Sequence, residues 1–182
     1  YKYGAGPLFD MGPYYFTALV TLLGPVKSVA GSVRTSFAER TITSQPKYGK
    51  KVEVEVPTHV SGILNFANGA LVTLTTSFDV WDSHTPRVEL YGAEGCLSIN
   101  DADPLAGPNF FGGKLEFRDK KTADWNGFPS IIPRKEEATH WTSLPILFNY
   151  NDNSRGVGIA AMRSAIRTYR KTRPHVNLAF HY

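Results

Sequence analysis

The period of the hydrophobic pattern changes along this chain of 182 residues. From Met11 to Leu23 apolar residues recur at helical spacing, with Met11, Ala18 and Leu22 on one line and Tyr15, Leu19 and Leu23 beside it. The spacing predicts a helix over about 11–23, with Asp10 as its N-cap, Pro13 in its first turn and Gly24-Pro25 as its stop. Asp10, Tyr14, Thr17 and Thr21 follow one another at intervals of four, three and four, a narrow polar stripe on one side of that helix. The period then shortens to two. "VKSVAGSVRTSFAER" reads as one or two strands, "SQPKYGKK" as a polar loop and "KVEVEV" as a further strand.

The strongest strand signal is "HVSGILNFANGALVTLTTSF". Asn68-Gly69 between two β-rich runs predicts a two-residue hairpin turn, pairing Phe66 with Leu71, Leu64 with Thr73 and Ile63 with Leu74. Neither face of that hairpin is cleanly polar, which predicts cover on both, by helices on one and by something else on the other. "PRVELYG" and "GCLSIND", joined by "AEG", are two more short strands. Residues 101–155 are rich in Pro, Gly and aromatics and predict a long irregular region with one strand, "KLEFRD". "RGVGIAAMRSAIRTYRKT" closes the pattern as a helix with Ile159, Met162, Ala165, Ile166 and Tyr169 on one side, ended by Arg173-Pro174. Strands outnumber helices and do not alternate with them, so the expected class is α+β with a mainly antiparallel sheet. One domain over residues 1–182 is expected.

Composition narrows the function classes. The net charge of +4 and pI near 9.2 are mild, and no basic stripe is interleaved with aromatics, which argues against nucleic-acid binding. No window carries the ~18 apolar residues of a membrane helix. The lone Cys96 cannot form an internal disulfide, which favours a reducing, cytoplasmic setting. The five histidines, His59, His84, His140, His175 and His181, lack metal-ligand spacing, so no metal is expected. The chain opens without Met inside what reads as a folded segment, and a fragment of a longer protein is expected.

Gly4-Ala5-Gly6 invites a nucleotide-loop reading, but Pro7-Leu8-Phe9 follows where the third glycine and its N–H groups would stand. The chemistry lies just beyond. Asp10 and Tyr14 share a helix face, and a carboxylate there can orient a phenol that acts as general acid or base. Spacing alone favours a plainer reading, a capping carboxylate and a packed aromatic. The Trp81-Asp82-Ser83-His84 run follows the hairpin's second strand, where loops often reach a site. There Trp81 can stack on a sugar with His84 nearby, or the run is simply a loop. The aromatics Phe110, Phe111, Trp125, Phe128 and Trp141 read as cover for a core or interface.

Several strings taken in order carry a family resemblance. "GAGPLFDMGPYYFTALVTLLGPV" resembles the segment that opens the C-terminal domain of the Gfo/Idh/MocA oxidoreductases, with its Asp-x-Gly-x-His motif followed by an apolar helix. Tyr14 stands in the place of the His. "EVPTHVSGILNFANGALVTLTTSFDVW", "RVELYGAEGCLSIND", "NSRGVGIAAMRSAI" and "RPH" are similar to the family's hairpin, next strand pair and closing helix. The resemblance implies a large, mainly antiparallel open-faced sheet with helices on one face and a second subunit on the other, hence a homo-oligomer. It implies an NAD- or NADP-dependent oxidoreductase acting on a sugar, polyol or related compound, the cofactor being held by an N-terminal Rossmann domain outside this chain. It places Tyr14 at the catalytic proton-handling position and Asp10 beside it facing substrate. Thr17 falls where many members carry an Asp. The alternative is a non-catalytic module that self-associates through its open sheet.

Overall fold

The computed structural model describes residues 1–99, 114–120, 141–145, 156–172 and 175–179. The chain divides into two compact units, one made of 1–82 with 160–182 and the other of 83–159.

In the first unit, α1 (Pro7–Leu23) packs on a three-stranded antiparallel sheet ordered β1 (Val26–Arg34), β4 (His59–Phe66), β5 (Leu71–Ser77). Between β1 and β4 the chain makes a two-stranded antiparallel ribbon, β2 (Glu39–Thr41) with β3 (Lys51–Glu53). The core is small and apolar. Leu19 of α1 meets Leu64 and Phe66 of β4, with Phe16, Val20, Leu23, Val26, Ala70 and Val72 around them. Burying side chains of this size stabilises by about 2–3 kcal/mol each. Leu22, expected on the apolar face, is 66% exposed, because the helix turns the Phe16–Leu19–Val20–Leu23 line to the sheet instead.

The helix begins four residues earlier than its periodicity predicts. Gly6 is its N-cap and Pro7 its first residue, where a ring that fixes φ and needs no hydrogen bond fits best. Asp10 therefore does not cap: it lies in the first turn, its own N–H already bonded to the Gly6 carbonyl at 2.9 Å. Pro13 is interior for the same reason. The hydroxyls of Thr17 and Thr21 donate to the Pro13 and Thr17 carbonyls, both at 2.6 Å, running a second ladder down the polar stripe.

The β4–β5 hairpin differs from its predicted register by one residue. Asn65 faces Leu71, Leu64 faces Val72 and Ile63 faces Thr73. The turn is a three-residue loop, Ala67-Asn68-Gly69, closed by Gly69 N–H to the Phe66 carbonyl at 3.1 Å and Phe66 N–H to the Ala70 carbonyl at 2.9 Å. Only Gly69 takes the left-handed conformation (φ 92°), while the Asn68 side chain accepts from the Ala70 N–H at 2.9 Å. The shift sorts the faces. Leu64, Phe66, Val72 and Ala70 all turn to α1, and Ile63, Leu71, Thr73 and Thr75 turn outward with Asn65, whose amide donates to Ser28. Among the described residues that outer face is open, with Leu71 66% exposed and Ile63 43% exposed.

The second unit holds a four-stranded antiparallel meander of β6 (Val88–Gly92), β7 (Gly95–Ile99), β8 (Leu115–Asp119) and β9 (Thr142–Ser143). The first three match the strands expected from sequence, and β9, only two residues long, carries too little pattern to be foreseen. α2 (Val157–Arg167) starts at the end of this unit, and α3 (Val176–Ala179) follows. α2 stops at Arg167, well before Arg173-Pro174. Tyr169 adopts φ 51° and lets the Arg170 N–H reach back to the Ala165 carbonyl at 3.0 Å, a closure that satisfies one of the last turn's acceptors. Of its expected apolar side only Ala165 is buried, and Ile159, Met162, Ile166 and Tyr169 are exposed. Phe110, Phe111, Trp125, Phe128, His140, Arg173, Pro174 and His181 lie outside the described residues. The class is α+β, and every strand pair among the described residues is antiparallel.

Candidate functional site

A cleft of about 330 Å³ opens in the first unit where the chain enters α1, lined by Tyr1, Gly4, Ala5, Gly6, Phe9, Asp10 and Phe78. The opening Gly-x-Gly makes this cleft but not a phosphate cradle. Gly6 has φ 97°, and a Cβ there would stand 3.1 Å from the Pro57 carbonyl oxygen, so only glycine lets the helix start this close to the sheet's edge. The Ala5 N–H is bonded to the Lys2 carbonyl at 3.1 Å and Pro7 has none, so the loop offers no row of free donors to an anion.

Three aromatic rings and one carboxylate face the cleft. Tyr1 and Phe78 meet edge to face, centroids 5.8 Å apart at 77°. Phe9 and Asp10 are exposed on the first turn of α1. Tyr14 lies one turn further along the same helix and is 51% exposed, and Thr17 lies a turn beyond, its proton given to Pro13. The structure thus puts Asp10 in the cleft wall and Tyr14 and Thr17 in line behind it on one helical stripe. Trp81 belongs to this unit as well and is 96% exposed a few residues past Phe78. His84 belongs to the second unit and is exposed.

Behind the rings lies a polar clasp that sequence reading missed. Arg40 of β2 donates through Nη1 to Asp79 Oδ1 at 2.9 Å and through Nη2 to the Phe78 carbonyl at 2.9 Å. Its guanidinium also sits over the rings of Tyr1 and Phe37, 5.6 and 5.3 Å from their centroids. The second Asp79 oxygen accepts from the hydroxyl of Thr58, at 2.5 Å, and Thr58 is almost wholly buried. Thr58 is held in turn by its N–H to the Arg34 carbonyl, by Phe78 N–H to its own carbonyl at 2.8 Å and by Ser36 N–H to its hydroxyl. Burial works to raise the Asp79 pKa, but the hydroxyls of Thr58 and Ser36 and the Arg40 charge together outweigh it and hold the carboxyl below its ordinary value. Arg40 and Asp79 are 39 positions apart, and neither belongs to a local motif. The one available signal is Asp79 just past the end of a strongly patterned strand, where loops gather at sites.

Among the described residues, no group of three or more His, Cys, Asp or Glu could hold a metal ion, and no helix is long and apolar enough to cross a membrane.

Comparison with known proteins bears on the family and the fold. Residues 1–98, α1 through most of β7, match the GFO/IDH/MocA C-terminal domain family, and the chain belongs to that family. No curated protein matches it closely enough to count as a relative. Among solved structures, an oxidoreductase domain protein from Kribbella flavida aligns at 17% identity with a TM-score of 0.64, over 98% of this chain and 46% of that one. Levoglucosan dehydrogenase, in complex with NADH and L-sorbose, aligns at 21% identity with a TM-score of 0.61, over 94% of this chain and 44% of that one. An oxidoreductase from Agrobacterium radiobacter, in complex with NAD+, L-tartaric acid and magnesium, aligns at 13% identity with a TM-score of 0.53, over 91% of this chain and 40% of that one. These likenesses are of fold, and the chain spans less than half the length of each of these proteins.

Proposed function

We propose that this chain is the substrate-binding and oligomerisation domain of an NAD- or NADP-dependent oxidoreductase that acts on a sugar, polyol or related hydroxyl or carbonyl compound. One observation carries the reading: Asp10, the first polar residue of the family's motif, stands in the wall of a cleft that three aromatic rings also line. A ring-shaped polyol has apolar C–H faces and a hydroxyl rim. Rings such as Phe9, Tyr1 and Phe78 suit the faces, and a carboxylate suits the rim. The levoglucosan dehydrogenase complex with L-sorbose supports the substrate class by analogy.

In this reading Asp10 accepts a substrate hydroxyl hydrogen bond and fixes its orientation. Tyr14, one turn along the same face, takes or returns the proton of the reacting hydroxyl. Thr17 and Trp81 are further contacts on the substrate side. The described residues offer no dinucleotide cradle, so the cofactor belongs to a separate N-terminal domain, and the setting is cytoplasmic. The open outer face of the β1–β4–β5 sheet, with Ile63 and Leu71 on it, supports pairing with a second copy. That same face supports a second reading, a self-associating module without catalysis.

The test is Tyr14→Phe in the intact parent protein. Removing a proton-transfer group lowers turnover by about 10²–10⁴-fold. We expect that loss together with unchanged cofactor binding. Full activity in the variant would remove Tyr14 from the reaction. A parent protein that oxidises no polyol with either NAD or NADP would favour the second reading.

A further inference from the structure

We propose that Arg40 is a positioning residue for the Asp10 cleft, an inference that rests on the reading of that cleft as the substrate site. Arg40 does not line the cleft. It stands behind it and holds two of its three rings by different means. Tyr1 is held through its face, with the guanidinium 5.6 Å from the ring centroid, and Phe78 through its main-chain carbonyl, at 2.9 Å from Nη2. Asp79, pinned by Thr58, occupies the other side of the fork and neutralises the charge. A planar fork is needed for this: one end must reach a carboxylate and the other a carbonyl while the plane stacks on rings. A lysine ammonium, a single point of charge, cannot do all three.

The surrounding bonds show why the hold falls on Arg40. Tyr1 is otherwise tied by its carbonyl, which accepts from the Glu55 N–H at 2.9 Å, and its neighbour Lys2 pairs with Glu55. Those contacts fix the backbone, and the ring itself is set by the Phe78 edge and the Arg40 guanidinium. Phe78 is fixed at its N–H by the Thr58 carbonyl, and Arg40 closes its other side. Arg40 side-chain exposure is 24%, so the contact is sheltered without being sealed. Asp10 and Tyr14 sit on α1, which the apolar core anchors independently. Loosening Arg40 should therefore spread the aromatic walls and leave the proton-handling helix where it is.

The experiment is Arg40→Lys in the intact parent protein, read two ways. Hydrogen exchange without substrate should quicken at residues 1–9 and 76–80 and stay unchanged over β6 and β7. Kinetics should show KM for the polyol raised by about tenfold with kcat within about twofold, the pattern of lost binding shared by ground and transition states. The KM for the cofactor should not move. Tyr1→Leu removes one wall with Arg40 intact and should raise KM in the same direction. It also serves as the test if Arg40→Lys fails to fold. Unchanged exchange at the walls overturns the positioning role, as does a fall in kcat equal to that in kcat/KM, which would put Arg40 in the chemistry. Faster exchange with unchanged KM overturns the placement of substrate in this cleft rather than Arg40's hold on its walls.

Discussion

Opposite kinds of force act at the two ends of α1. At its C-terminal half Leu19, with Phe16, Val20 and Leu23 around it, lies on Leu64, Phe66 and Val72, an apolar contact that rewards area and is indifferent to direction. Beside the cleft at its N-terminal end, Arg40 is joined to Asp79 and to the Phe78 carbonyl, and Asp79 to Thr58, by hydrogen bonds to charged groups, and Tyr1 meets Arg40 by its ring face, contacts that reward direction and fail quickly when misaligned. The first kind anchors the helix that carries Asp10, and the second holds the aromatic walls of the cleft that Asp10 lines. This division suits a domain in which one helix both closes a core and presents the proposed site.

The largest loss of stability is expected at the apolar end. Phe66→Ala empties the centre of the core, and a buried Phe lost to Ala costs about 3–5 kcal/mol, read as a lowered denaturation midpoint. If the apolar contact anchors the helix, this loss should exceed that of any single change in the clasp.

The clasp should show itself through acid. A carboxyl held below its unfolded value contributes stability above that value, about pH 3.9, and surrenders it as pH falls through the folded one. Asp79 is such a group, so stability should decline below about pH 4, and Asp79→Asn should flatten that decline while lowering stability at pH 7. Thermal unfolding of both proteins between pH 3 and 7 measures it; parallel curves would deny Asp79 its part.

The smallest effect belongs to the ribbon. Lys51 pairs with Glu39 across β2–β3 at 2.6 Å, but both side chains are more than half exposed. Its pKa is raised by the Glu39 hydrogen bond and charge, yet water screens such pairs. Lys51→Ala should leave the melting temperature within error, and a clear drop would show that the ribbon carries more of the structure than its exposure suggests.

Much of the fold was legible before any coordinates. The helix near residue 11, the hairpin about Asn68-Gly69, the strands on both sides of Glu94 and the α+β class all follow from period and turn chemistry. The misreadings have local physical causes. The α1 start moved because Pro7 fits a first helical position better than Asp10 fits a cap. The hairpin shifted by one residue because Asn-Gly serves a three-residue loop as well as a two-residue turn, and the deciding fact was which hydrophobic set could reach Leu19. The exposed apolar side of α2 shows the limit of periodicity, which marks an amphipathic helix without saying what covers it.

By itself the sequence determined what depends on neighbours in the chain: the periods, the turn residues, the Asp10–Tyr14–Thr17 stripe and the motif that marks the family. Only the tertiary structure decided what stands behind the cleft that Asp10 lines. Arg40, Thr58 and Asp79 come from three separate stretches, and each is an ordinary residue in its own. They act together because antiparallel pairing brings the ends of β4 and β5 level with β2 and with the first residues of the chain. A hydrogen bond of 2.9 Å depends on where two groups meet in space, and no pattern along the chain encodes that for partners 39 positions apart.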